Sequence, residues 1–141
     1  TEVELCVFPR KRIWDLFVHM PNLAYEVAWL GSREESLIDQ NLTSVGQRNA
    51  SERIAALVIS LYRRAEALGL VTDGGFRFPL SQQQLADALG LSLVHTSKTW
   101  SRLRKAGLFA IAEGRLTLLN PRLTSRMALL YEREVAPRPL I

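Results

Sequence analysis

Apolar and polar residues alternate from Thr1 to Phe8, with Val3, Leu5 and Val7 on one side and Glu2 and Glu4 on the other. Period two predicts a half-buried strand. Pro9 ends it, and Arg10-Lys11-Arg12 opens a short amphipathic segment through Ile13, Leu16 and Phe17. Pro21 then stands where a first helical turn accepts proline. Leu23, Val27, Leu30, Leu37 and Val45 follow at helical steps. They predict a helix of roughly 25 residues from Pro21, long against a globular mean of about 11–12. Its apolar stripe is narrow, and Glu34 and Asn41 interrupt it. Such a stripe suits the groove side of a surface helix or a seam between two chains.

Gly46-Gln47-Arg48 breaks the pattern, and Asn49 with Glu52 has the spacing of a capping box. A second helix follows, burying Ile54, Leu57, Val58, Leu61, Ala65 and Leu68, with Gly69 placed to end it. Asp73-Gly74-Gly75 reads as a turn and Phe76-Arg77-Phe78 as a short strand. The end at Pro137-Arg138-Pro139 is expected to fray.

Residues 80–119 carry the most ordered pattern. Ser81 and Gln84 form a second capping box, opening a helix Gln82–Leu89 that buries Leu85, Ala86 and Leu89. Ala86 is small where another helix must cross closely. Gly90 follows where the chain needs a left-handed turn. Ser92 is placed to cap a helix from about Leu93 to Ala106, with Thr96, Trp100 and Leu103 inward. Gly107 stops it. Leu108 to Ala112 and Arg115 to Leu119 then flank Glu113-Gly114, the pattern of a β-hairpin. Helix, short Gly turn, amphipathic helix and hairpin are the parts of a winged helix-turn-helix. The expected fold is mainly α with small β elements.

The outward residues of the second of these helices are Leu93, Val94, Ser97, Lys98, Ser101, Arg102 and Lys105. Such a helix fits the major groove of double-stranded DNA, and its first turns reach base edges. Leu93, Val94, Ser97 and Lys98 are the candidate base readers. Val94 and Leu93 suit a thymine methyl, and Lys98 suits guanine acceptors or a phosphate. Ser101, Arg102, Arg104, Lys105 and Arg115 suit phosphates, which position a protein without reading sequence. Ser81, Gln82, Gln83, Ser92 and His95 complete the candidate backbone set. The plainer reading is a packed subdomain with a solvated basic face, or an adaptor whose basic face meets an acidic protein.

Charge strengthens the polyanion reading. The net charge is +4, and residues 81–141 hold nine Lys/Arg against four Asp/Glu, whereas residues 1–80 hold nine against ten. No apolar run approaches a membrane span, and no secretory-signal pattern opens the sequence, so a cytoplasmic location is expected. Cys6 stands alone and reads as a small apolar residue on the first strand. His19 and His95 lack partners at metal-ligand spacing, so no metal or cofactor is expected. Trp14, Trp29 and Trp100 read as core or seam residues. No nucleophile–base set or Gly-rich phosphate loop points to an enzyme.

Taken in order, these motifs resemble the C-terminal half of the Crp/Fnr superfamily of transcription regulators. Asn49-Ala50-Ser51-Glu52-Arg53-Ile54-Ala55 is similar to the start of that family's linking helix. Phe78-Pro79-Leu80-Ser81-Gln82-Gln83-Gln84-Leu85-Ala86 resembles its entry to the helix-turn-helix, and Leu89-Gly90-Leu91-Ser92 followed by Val94-His95-Thr96-Ser97-Lys98-Thr99 its recognition helix. The resemblance implies three parts: residues 1–20 as the end of a sensor β-roll and its exit, 21–46 as a dimerisation helix, and 47–141 as the DNA-binding domain. It implies a homodimer through Leu23, Val27, Leu30 and Leu37, an inverted-repeat operator, and RNA polymerase as a further partner. Many members have Glu where Val94 stands and Arg where Lys98 stands, so the familiar target sequence does not carry over. The sensor is expected to be mostly absent from this segment, and its effector, a cyclic nucleotide or other ligand, is lost with it. An N-terminally shortened paralogue that binds DNA without ligand fits the same pattern.

Overall fold

The computed structural model describes residues 3–128. The expectations for Thr1, Glu2 and the Pro137-Arg138-Pro139 end lie outside these residues. Two compact units part within one long helix, between Gln40 and Asn41.

In the first unit a 3-10 turn, Arg10–Arg12, leads into helix α1, Ile13–His19, and then α2, Pro21–Gln47, which continues into the second unit. Pro21 is the first residue of α2, and the helix runs on through Gly46 for 27 residues in all. The expected N-terminal strand does not form: residues 3–9 have no regular secondary structure. Val3, Leu5, Val7 and Phe8 are exposed, Val7 by 92%. Alternation alone makes no strand, because ladder hydrogen bonds need a neighbour. The three strands of the described residues pair only with one another. Cys6 is correspondingly exposed. Trp14 is also exposed and packs on Phe17 at 6.4 Å between ring centroids, so it is not a core residue. Trp29 is half-buried, with the Arg33 guanidinium 5.5 Å from its ring centroid.

The second unit holds the end of α2, then α3 (Ala50–Ala67), β1 (Gly75–Arg77), α4 (Gln82–Leu89), α5 (Leu93–Lys105), β2 (Phe109–Ala112), β3 (Arg115–Leu118) and α6 (Pro121–Met127). Its antiparallel sheet has the order β1-β3-β2, pairing Phe76 with Leu116 and Phe109 with Leu118. The Asn49 side chain accepts from the Ser51 and Glu52 amides while the Glu52 carboxylate accepts from the Asn49 N–H, so α3 starts where the capping box predicts. The helix α6 is absent from the sequence reading. Its signal is Asn120, whose side chain accepts from the Leu123 amide, followed by Pro121 at the first helical position.

The core is built on Ile54, Val58, Leu85, Leu108, Phe109 and Leu116, all at most 1% exposed. A run of aromatic contacts crosses it. Tyr62 meets Phe76 edge-on at 6.2 Å, Phe76 meets Phe78 at 6.1 Å, Phe78 meets Trp100 at 5.6 Å, and Trp100 meets Phe109 at 4.5 Å. These rings link α3, β1, α5 and β2 through one apolar interior.

Arg53 supplies a second, polar tie. Its Nε donates to the Arg48 carbonyl at 2.8 Å, Nη1 to Leu89 at 3.0 Å and Nη2 to Val45 at 2.6 Å. Val45 and Leu89 lie in the last turns of α2 and α4, where helix carbonyls lack intrahelical donors and the helix dipole favours a cation. One side chain therefore joins the ends of two helices to the start of a third. Arg53→Met is expected to lower stability by about 2–3 kcal/mol, since hydrogen bonds to charged groups are worth about 1.5–3 kcal/mol. Denaturant unfolding followed by circular dichroism measures it, and an unchanged midpoint would show that the tie is idle. Thr96 gives the opposite expectation. It is fully buried, and its hydroxyl has no hydrogen-bond partner among the described residues. Thr96→Val should raise stability by about 1 kcal/mol in the same assay, by removing a desolvated polar atom.

Candidate nucleic-acid interface

The α4–α5 pair is set by local rules before tertiary packing acts on it. Ser81 accepts from the Gln84 amide at 3.2 Å, and the Gln84 side chain accepts from the Ser81 N–H at 2.8 Å. Gly90 closes α4 at φ 62°, a left-handed conformation that suits glycine. Ser92 then caps α5, accepting from the His95 amide at 3.3 Å. Helix α5 buries Thr96, Thr99, Trp100 and Leu103 and nothing else. Its remaining surface is left to solvent.

That free face is cationic. Leu93, Val94, His95, Lys98, Ser101, Arg102, Arg104 and Lys105 are exposed, and α5 contains no acidic residue. Ser97, Lys98, Ser101, Arg102 and Lys105 line one shallow depression along it. Ser97 is half-buried, because its hydroxyl donates to the Gln82 side chain at 3.3 Å. That bond brings the first turn of α4, with exposed Ser81 and Gln83, beside the α5 face. Gln83 holds Asp87 through a 2.8 Å hydrogen bond. The structure therefore gathers the candidate base readers and most of the candidate backbone residues on one side of the second unit.

Arg115 has internal partners as well. Its Nη2 shares its two hydrogens among the carbonyls of Thr72 and Gly75 and the Thr72 hydroxyl, the Gly75 bond being 2.8 Å. It stitches β3 to the turn before β1 and leaves the Nε and Nη1 donors for other acceptors. The hairpin between β2 and β3 otherwise presents Glu113 and Gly114, at φ 50° and 72°. Arg102 also has an internal partner: it donates to the Ser51 hydroxyl of α3 at 2.6 Å. Sequence reading missed Arg53 as well, because neither carbonyl acceptors nor their distance in the chain leave a residue pattern.

Residues 52–123 match the family model of the Crp-like helix-turn-helix domain. The chain belongs to that family. Curated relatives agree with the match. The nitrogen fixation regulation protein FixK of Bradyrhizobium diazoefficiens is 31% identical over 119 residues, 84% of this chain and 50% of the relative. The transcriptional activator protein FnrA of Stutzerimonas stutzeri is 32% identical over 111 residues, 79% of this chain and 45% of the relative. This Crp-like chain thus spans about half the length of the curated relatives it matches. The structure of FixK2 from Bradyrhizobium japonicum superposes with a TM-score of 0.72 at 21% identity, over 84% of this chain and 58% of that one. That likeness extends the shared fold to the mainly helical architecture around the helix-turn-helix.

The Arg115 tie generates a test. Arg115→Gln is expected to lower stability by about 1–2 kcal/mol. Denaturant unfolding measures it, and an unchanged midpoint would show that the tie is idle.

Proposed function

We propose that this Crp-like chain is the DNA-binding part of a transcription regulator, and that α5 enters the major groove of double-stranded DNA. The observation that carries the reading is α5 itself: one face buried by four residues, the other exposed, cationic and without an acid. Cations there displace condensed counterions from phosphates, while the first turns meet base edges. Val94 contacts a thymine methyl, which needs no polar partner. Lys98 donates to guanine N7 or O6, less sharply than the forked guanidinium of arginine. Ser81, Gln83, Ser92, His95, Ser101, Arg104 and Lys105 hold the flanking phosphates.

The regulator acts as a homodimer through α2. Leu23, Val27 and Leu30 are 49%, 42% and 40% exposed, and Leu37 is half-buried. Pairing two such stripes removes both from water. In this reading residues 1–20 are the exit of a sensor domain, 21–46 the dimerisation helix and 47–141 the DNA-binding domain. RNA polymerase is the further partner, since relatives are named as transcriptional activators. No helix among the described residues is long and apolar enough to cross a membrane, and a DNA-binding role places the protein in the cytoplasm.

Two experiments test this. Leu30→Asp with Leu37→Asp should turn a dimer into a monomer in sedimentation equilibrium, and a monomeric unmodified chain at tens of micromolar contradicts the pairing. Selection of bound sequences from random duplexes should yield an inverted repeat, with half-site centres about 34–36 Å apart. Lys98→Ala should relax preference at one base pair in each half-site, by about 1–3 kcal/mol of discrimination. A consensus without two-fold symmetry, or the same preferences from both proteins, refutes the placement of α5.

A further inference from the structure

A cleft of about 730 Å³ lies beside α5. Ser51 and Glu52 at the start of α3, His95 and Arg102 of α5, and Leu123 and Arg126 of α6 line it. Arg102 lines both this cleft and the shallow depression of the α5 face, so the two surfaces are continuous. The Arg126 side chain is exposed and makes no hydrogen bond or ion pair to another described residue. The acid of the cleft, Glu52, turns its carboxylate onto the Asn49 N–H at 2.9 Å. Ser51 accepts from Arg102 and so aims that guanidinium across the cleft mouth.

Two guanidiniums and an imidazole line this one open cleft. The planar fork of a guanidinium matches the oxygens of a phosphodiester.

We infer that the α3–α5–α6 cleft seats a backbone phosphate of the bound DNA, with Arg126 and Arg102 as its cations. This inference rests on the proposed DNA binding by α5. It adds to that footprint Arg126, a residue on a helix that sequence reading did not foresee. The seat reads no base, so its loss weakens binding to every sequence alike.

The test is a fluorescence-anisotropy titration of a labelled 30-base-pair duplex across a range of salt concentrations. The unmodified chain and Arg126→Gln are compared, with thermal unfolding as the check on folding. Arg126→Gln should weaken binding several-fold and reduce the log–log salt slope by about 0.9 per protomer bound. An unchanged slope for Arg126→Gln, with the unmodified chain binding normally, overturns the seat and leaves the α5 reading standing. Absence of duplex binding by the unmodified chain overturns both. Inorganic phosphate alone separates the two sources of the anion. If it raises the unfolding temperature of the unmodified chain but not of Arg126→Gln, while the DNA slope is the same for both, the cleft is a site for free anions and the inference fails.

Discussion

Helix α5 has to be held by one face only, and the rest of the structure follows from that constraint. A helix of this length gains little from its own hydrogen bonds in water, so packing must stabilise it. The packing here is concentrated in Thr96, Thr99, Trp100 and Leu103. Trp100 does the most, because its ring touches Phe78 on one side and Phe109 on the other. With those contacts on the inner face, the opposite side is free to carry cations that no protein group neutralises.

The polar ties act around this apolar hub rather than in place of it. Arg53 gathers carbonyls at the ends of α2 and α4, and Arg102 reaches from α5 to Ser51. Arg53 satisfies carbonyls at helix ends, where orphan backbone groups are costly, whereas Arg102 holds a side-chain hydroxyl near the start of α3. Arg115 does similar work at the sheet. The same residue type thus serves as an internal tie in one place and as exposed charge in another, and only the surroundings of each guanidinium decide which.

Local chemistry explains how much was legible in the sequence. The bounds of α4, the two capping boxes and the left-handed Gly90 follow from residues within four positions of one another. The buried face of α5 follows from helical spacing, and Trp100 is in the core as its position predicts. What failed depended on distant partners. The N-terminal alternation promised a strand, but no neighbouring strand pairs with it among the described residues. The seven-residue α6 carries too short a pattern to announce itself beyond Asn120 and Pro121. The engagement of Arg115 depends on Thr72 and Gly75, about 40 residues away, through carbonyl oxygens that every residue possesses. For the candidate site, the exposed cationic helix α5 was readable and the flank around Arg126 was not.

The central claim is that the exposed face of α5 is the surface that meets DNA. Backbone amide shifts of the isotope-labelled chain, followed during titration with a short duplex recovered by selection, test it residue by residue. The account predicts saturable changes at Val94, Ser97, Lys98, Ser101 and Arg102 and at the first turn of α4, larger than any at Glu113 and Gly114 of the hairpin tip. Changes centred on the hairpin or on α2, with α5 silent, would contradict it.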